Sequence, residues 1–270
     1  MKLIKSQVVF NPDEHTYMLG DKELSGITSV IGRQLFPDKY RDVPEDVLRK
    51  AAERGTMIHS ICELVDDIGI THDSDEAQGY KELKDNWGLR YECSEYLVSD
   101  NEHYASCIDK VYRENETDFT LGDIKTTYVL DKESVRWQLS IYAYFFELQN
   151  PGCNAVRLIG IWLRGKNHEI VEVERIPSEV VMNLLKCDSE GRQFVNSYSI
   201  SPVTLPDEYR KMERTIQEIV SQAKYWSDKK KEITDGVMMA MVEAGEYSWK
   251  GDIISFTRKK DTIRKDFDKK

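Results

Sequence analysis

Short apolar runs at the start of the chain, Val8-Val9-Phe10 and His15-Thr16-Tyr17-Met18-Leu19, flank Asn11-Pro12-Asp13-Glu14 and predict two strands joined by a turn. After Leu24-Ser25-Gly26, the segment Ile27-Thr28-Ser29-Val30-Ile31 predicts the start of a short helix. Thr28 or Ser29 would cap it, and its free N–H groups suit plain capping or a phosphate. Between Pro44 and Ile68, Val47, Leu48, Ala51, Met57, Ile58, Ile61, Leu64 and Val65 recur at helical spacing across Gly55, predicting one long helix or two abutting ones. A more polar helix is predicted over 75–87.

Three β-rich runs follow, over 94–99, 103–113 and 118–125, with turn signals at Asp100-Asn101 and Asn115-Glu116. They predict an antiparallel meander. Val135, Leu139, Tyr142, Ala143 and Phe146 then mark a helix over 132–148, stopped by Asn150-Pro151-Gly152. Two strands over 155–163 and 168–175 meet across Arg164-Gly165-Lys166-Asn167, and a helix over 178–194 closes the region. This order predicts an α/β fold with one mixed central sheet flanked by helices. Ser201-Pro202-Val203-Thr204-Leu205-Pro206 marks a boundary, dividing the chain into 1–200 and 201–270. The second part reads as a long helix over 207–244, a β-hairpin over 247–258 turning at Lys250-Gly251-Asp252, and a charged tail.

With 270 residues, 40% hydrophobic and 32% charged, the chain is not collagen-like, low-complexity or wholly disordered. No run approaches the ~18 apolar residues of a membrane helix, and Met-Lys-Leu-Ile-Lys-Ser-Gln lacks a signal-peptide core, so a cytoplasmic protein with no membrane partner is expected. Cys62, Cys93, Cys107, Cys153 and Cys187 form no Cys-x-x-Cys pair, which argues against a disulfide framework or a zinc or iron–sulfur site. A net charge of −10 argues against coating nucleic acid by bulk charge, though not against a local groove. The acidity resides in 1–200, because 201–270 holds 15 basic and 13 acidic side chains.

Chemistry concentrates on the second and third strands of the meander. Asp109 lies in Ser106-Cys107-Ile108-Asp109, and Asp123-Ile124-Lys125 follows fourteen residues later. Alternation puts Asp123 and Lys125 on one face and Ile124 in the core, leaving the Ile124 carbonyl free. Two carboxylates and a carbonyl suit Mg²⁺ or Mn²⁺. Taken alone, Asp123 and Lys125 read first as a strand-end ion pair, and the tripeptide by itself carries little.

Around this tripeptide stand Arg54-Gly55-Thr56-Met57-Ile58-His59 with Glu63, then Asp109, then Thr126-Thr127, then Gln138 and Tyr142 at i and i+4. In that order and company the sequence resembles the PD-(D/E)XK nuclease superfamily, in particular its RecB-like and lambda-exonuclease-like members, over roughly residues 8–175. The resemblance implies a restriction-endonuclease-like core. His59, Asp109, Asp123 and the Ile124 carbonyl would hold one or two Mg²⁺ or Mn²⁺ ions, Lys125 would be the catalytic lysine, and Gln138 and Tyr142 would support the site or contact DNA. Glu63, one turn beyond His59, would orient it or bind metal itself. Thr28 and Ser29, in what looks like the family's opening segment, together with Arg54, Thr126 and Arg136, are the candidate DNA contacts. Trp137 reads as a base contact or a packing residue. His15, His72, His103 and His168 have no partner spacing.

The sequence departs from the family's pattern in places. It lacks the clustered cysteines of relatives that carry an iron–sulfur cluster, so no such cluster is expected; it has no G-x-x-x-x-G-K-[ST] loop; and Ile108, not Pro, precedes Asp109. The segment from Ser201 resembles the C-terminal extension of phage-type members. From Lys250 to Lys270 it holds 8 basic and 4 acidic side chains, including Arg258-Lys259-Lys260-Asp261, a basic patch for a DNA backbone or a solvated tail. Ile216, Ile219, Val220, Ala223 and Trp226 form an apolar stripe suited to a homo-oligomer. The implied function is a metal-dependent DNA exonuclease of phage or mobile-element recombination and repair, with a recombinase or single-strand-annealing protein as partner. A structure-specific endonuclease and a catalytically inert nucleic-acid-binding or assembly module of the same fold are the alternatives.

Overall fold

The computed structural model describes residues 2–12, 14–41, 43–69, 73–196, 207–252 and 254–257, with the side chains of 207–218, 220, 221, 224, 225 and 228 excepted. His72, the break over 201–206, the basic tail from 258, and the Ile216 and Val220 side chains lie outside the described residues. The chain forms two compact units, Met1–Tyr198 and Ser199–Lys270, each described here by itself.

The first unit is an α/β structure built on an eight-stranded mixed sheet. β1 (Val9–Asn11) and β2 (Thr16–Leu19) form the expected hairpin, and β3 (Lys22–Gly26) adds an antiparallel strand that the pattern did not predict. Its sequence, Lys-Glu-Leu-Ser-Gly, contains one apolar residue, Leu24, so no alternation betrays it. The strand runs directly into α1 (Ile27–Leu35). Gly26 therefore occupies the N-cap position, and Thr28 and Ser29 lie inside the helix instead of capping it.

Next come α2 (Glu45–Ile68), continuous through Gly55, and α3 (Asp75–Asn86), capped by the Ser74 hydroxyl accepting from the Ala77 N–H. β4 (Tyr91–Ser99), β5 (Tyr104–Arg113) and β6 (Asp118–Lys125) form the antiparallel meander; α4 (Lys132–Gln149), β7 (Asn154–Arg164), β8 (Asn167–Glu172) and α5 (Ser178–Ser189) complete the unit. α5 stops five residues short of the expected end because Gly191 turns the backbone at φ 65°, and Phe194 instead packs edge-on against Trp137. β6 and β7 run parallel through α4, and β8 returns antiparallel.

Two apolar layers hold the helices to the sheet. α1, α4 and α5 pack on one face around Trp137, Phe145, Phe146 and Leu184, and α2 and α3 pack on the other around Ile58, Tyr80, Ile159 and Ile161. α3 lies so close to β8 that a Cβ on Gly79 would stand 2.6 Å from the His168 ring, so any larger residue there would have to displace that ring.

In the second unit α6 (Asp207–Glu243) is followed by the hairpin β9 (Ser248–Lys250) and β10 (Ser255–Thr257), with Trp249 and Phe256 paired across it at 5.9 Å between ring centroids. Among the described residues no helix is long and apolar enough to cross a membrane.

Candidate metal centre

β5 is where the sheet forks. On one side it pairs with β4; on the other its first residues, Tyr104 and Ala105, pair parallel with β3, and its last, Lys110 to Arg113, pair antiparallel with β6. β3 and β6 part company between Ala105 and Lys110. A cleft of about 710 Å³ opens there, walled by the β1–β2 hairpin and by α2, with Ser106, Cys107 and Asp109 lining it.

The strand also changes face at this level. Before Asp109 the even-numbered residues point to the α4–α5 side: the Tyr104 hydroxyl lies 3.0 Å from the Leu185 carbonyl oxygen, Ser106 donates to the Tyr142 hydroxyl, and Ile108 is in that core. Beyond Asp109 the parity reverses, so that Val111 joins the same core while Lys110 and Tyr112 turn toward α2 and α3. β4 reverses in step, since Cys93 packs on the layer that also holds Tyr96 and Val98. Ser94↔Lys110 and Tyr96↔Ile108 keep one register through the change, with Glu95 and Asp109 side by side between them and Glu95 at φ 48°. The local distortion aims two carboxylates into the cleft, which is how bulged strands re-aim side chains beside functional sites.

Around these carboxylates the predicted residues converge. The Asp109 Oδ2 accepts the Ile124 N–H at 2.7 Å, and His59 Nδ1 lies 3.7 Å from the same oxygen. His59 Nε2 lies 3.2 Å from the Ile124 carbonyl oxygen. Donor atoms of His59, Glu95 and Asp109 fall within 4.8 Å of one another, a spacing that one cation could bridge. Glu95 is the residue that sequence reasoning missed, because its partner Asp109 lies across a strand pair.

Asp123 is fully buried, and its two oxygens differ. Oδ1 accepts from Gln138 Nε2 at 2.7 Å; Oδ2 sits 2.7 Å from Lys125 Nζ without an aligned hydrogen bond. Lys125 donates to Gln138 Oε1 at 3.0 Å, and the Gln138 amide lies 2.6 Å from the Tyr142 hydroxyl, so the i, i+4 pair on α4 does act as a unit. A buried carboxylate held by Lys125 and Gln138, an imidazole, further carboxylates and a peptide carbonyl form an oxygen-rich donor set that fits Mg²⁺ or Mn²⁺.

Burial pushes the Asp123 carboxyl up to about 6, against the pull of the Lys125 ammonium, which favours the charged form. Burial lowers Lys125, but the Asp123 and Asp109 carboxylates outweigh it and the net shift is upward, so the ammonium persists at neutral pH. The Glu95 carboxyl is raised by desolvation and then by Asp109. Carboxyls perturbed by burial and by charged neighbours inside a cleft are a common mark of functional sites.

The remaining candidates divide. Thr28, Thr126 and Glu63 line the cleft, whereas Ser29 and Arg136 do not; Glu63 and the expected ligand Asp123 both stand outside the His59, Glu95 and Asp109 group. Arg136 donates instead to the Glu174 carbonyl at 2.9 Å. Arg54 donates to the Thr126 carbonyl at 3.1 Å and pairs with Glu76, bracing the end of β6 instead of pointing into the cleft. Trp137 is buried and donates to Glu133, so it packs.

No family model matches the chain, and no curated protein matches it. Among solved structures, that of SSO0001 is similar over 70% of this chain and 91% of its own, at 15% identity and a TM-score of 0.39.

Proposed function

We propose that the chain is a metal-dependent deoxyribonuclease, acting as a DNA exonuclease that hydrolyses phosphodiester bonds on a restriction-endonuclease-like core. The observation that carries this reading is the meeting of Asp123, Lys125, Gln138, Asp109, His59 and the Ile124 carbonyl in one cleft, in the order and spacing of the PD-(D/E)XK pattern. His59, Glu95, Asp109, Asp123 and the Ile124 carbonyl are the residues that would hold Mg²⁺ or Mn²⁺. When bound, such an ion supplies a Lewis acid that acidifies water and neutralises charge on a phosphate.

The chain's own residues do the rest. Lys125 keeps a proton and a positive charge at Nζ, suited to hold the attacking water and to offset charge that develops on phosphorus. Asp123 and Gln138 fix that ammonium from two sides, and Tyr142 holds the Gln138 amide, so Lys125 needs no reorganisation when the substrate arrives.

Digestion of end-labelled linear duplex and single-stranded DNA beside closed circular plasmid, with Mg²⁺, Mn²⁺ or EDTA, tests the reading. Loss of linear DNA alone, requiring metal and abolished in Lys125→Ala, is expected. Nicking of the closed circle would make the enzyme an endonuclease; survival of linear DNA with both metals would leave a non-catalytic binding module, and full activity of Lys125→Ala would remove Lys125 from the mechanism.

A further inference from the structure

The cleft has two chemically different walls. Its inner end carries the carboxylates, imidazole and ammonium, while the β1–β2 hairpin supplies rings: Phe10, His15 and Tyr17, with Pro12 beside them. Phe10 and Tyr17 are register partners across the hairpin, their ring centroids 4.8 Å apart and tilted by 32°. His15 meets the Phe10 edge at 5.2 Å and 85°.

These rings are held, not loose. Tyr17 is buried and packs with Ala105 of β5 and Leu24 of β3, and the Phe10 ring leans on the same cluster together with Leu97 and Cys107. His15 is set at the turn in a left-handed backbone conformation, φ 54°, which a non-glycine side chain seldom adopts. Phe10 is only half-buried and His15 exposed, so both retain surface toward the cleft. The hairpin is thus fixed to the very strands, β4 and β5, that carry Glu95 and Asp109.

A ligand matching this cleft has an anionic end and a flat aromatic end. We infer that the Phe10–His15–Tyr17 wall is a stacking site for the nucleobase of a single-stranded DNA terminus, beside the phosphate that the inner end would take. The inference rests on the nuclease reading and extends it to substrate class. A base inside a duplex has both faces covered by its neighbours, so a protein ring can stack only on an unpaired or terminal base. Rings already fixed by packing lose little freedom on binding, which favours affinity.

The test uses full-length Lys125→Ala protein with Mg²⁺, which binds without cutting under the nuclease reading, and a single-stranded oligonucleotide carrying 2-aminopurine at its end. Stacking quenches the fluorophore on binding. Introducing Phe10→Leu, which keeps an apolar contact with Tyr17, or His15→Ala at an exposed position, is expected to weaken binding about tenfold and remove the quench. An abasic terminus is expected to bind the unmodified rings as weakly as the intact oligonucleotide binds Phe10→Leu. Unchanged affinity and quenching in both ring variants would overturn this inference alone. Failure of the otherwise native protein to cut or bind any DNA would overturn the nuclease reading beneath it.

Discussion

The Asp109 carboxylate accepts the Ile124 N–H at 2.7 Å, just beyond the last β5–β6 pair, Lys110↔Gly122. A side chain thus takes the place of a strand neighbour where the sheet has opened. The same oxygen faces His59, so one atom closes the backbone and belongs to the group that could hold a metal ion.

Asp109→Asn therefore separates the two roles. An asparagine oxygen still accepts the Ile124 N–H, so stability should change by less than about 1 kcal/mol, while Mn²⁺ affinity falls at least about tenfold with the loss of charge. Asp109→Ala leaves that N–H buried and unpaired and should cost about 1–3 kcal/mol as well. Urea denaturation and calorimetric Mn²⁺ titration measure the two effects; equal stability of the Asn and Ala variants would refute the structural half.

Further along α2, on the same face of the sheet, Asp66 receives Lys110 at 2.7 Å, Lys84 at 2.5 Å and the Tyr80 hydroxyl at 2.6 Å, with the Asp66 and Lys110 side chains only 0% and 2% exposed. Two cations share one carboxylate, so the partners are not equivalent. Asp66→Asn strands a buried ammonium and should cost about 3–5 kcal/mol; Lys110→Met leaves Asp66 with Lys84 and Tyr80 and should cost under about 2 kcal/mol. The reverse ranking in denaturant midpoints would show that Lys84 does not share the charge.

A third pair links α1 to α5. Asp188 accepts from Arg33 Nε at 2.6 Å, from Tyr104 at 2.8 Å and from Gln34 at 3.0 Å. Burial alone would raise its pKa, but these donors outweigh burial and hold it below the usual value of 3.8. Because the folded value is the lower one, the stabilisation is complete above the unfolded value and disappears as pH falls through the folded one. Arg33 is half exposed and screened, so about 1–2 kcal/mol is expected in all. The Tm gap between wild type and Asp188→Asn should be full near about pH 6 and close by about pH 2, as thermal scans across that range would reveal. A gap that widens toward acid would contradict this assignment.

Much of this arrangement is legible in the residues themselves. Alternation alone places Asp123 and Lys125 together, and the i, i+4 spacing of Gln138 and Tyr142 gives them one helix face. What escapes are features made by contacts distant in sequence. β3 has too little apolar character to announce itself, and pairs only because β2 and β5 offer edges. Glu95 looks like one more polar strand residue until Asp109 lies beside it and both strands change face. Arg54 and Arg136 look free in sequence, yet each finds a carbonyl far along the chain, of Thr126 and of Glu174.

The fork in β5 also constrains chain length. Ala105 is tied to β3 and Lys110 to β6, two strands that run in opposite senses relative to β5, so the intervening residues are anchored at both ends to different neighbours. One residue more or fewer there would break one of the two registers or turn Asp109 away from His59. The turn at the far end of the same strand, where the Asn115 side chain accepts the Thr117 and Asp118 N–H groups, is tied to β7 through the Asn154 N–H, which donates to the Thr117 carbonyl at 2.8 Å. Within a single strand the two ends are thus held in different ways: the end that opens the cleft is fixed in length by two strands of opposite sense, and the end that reverses the chain by its own turn and one tie to β7.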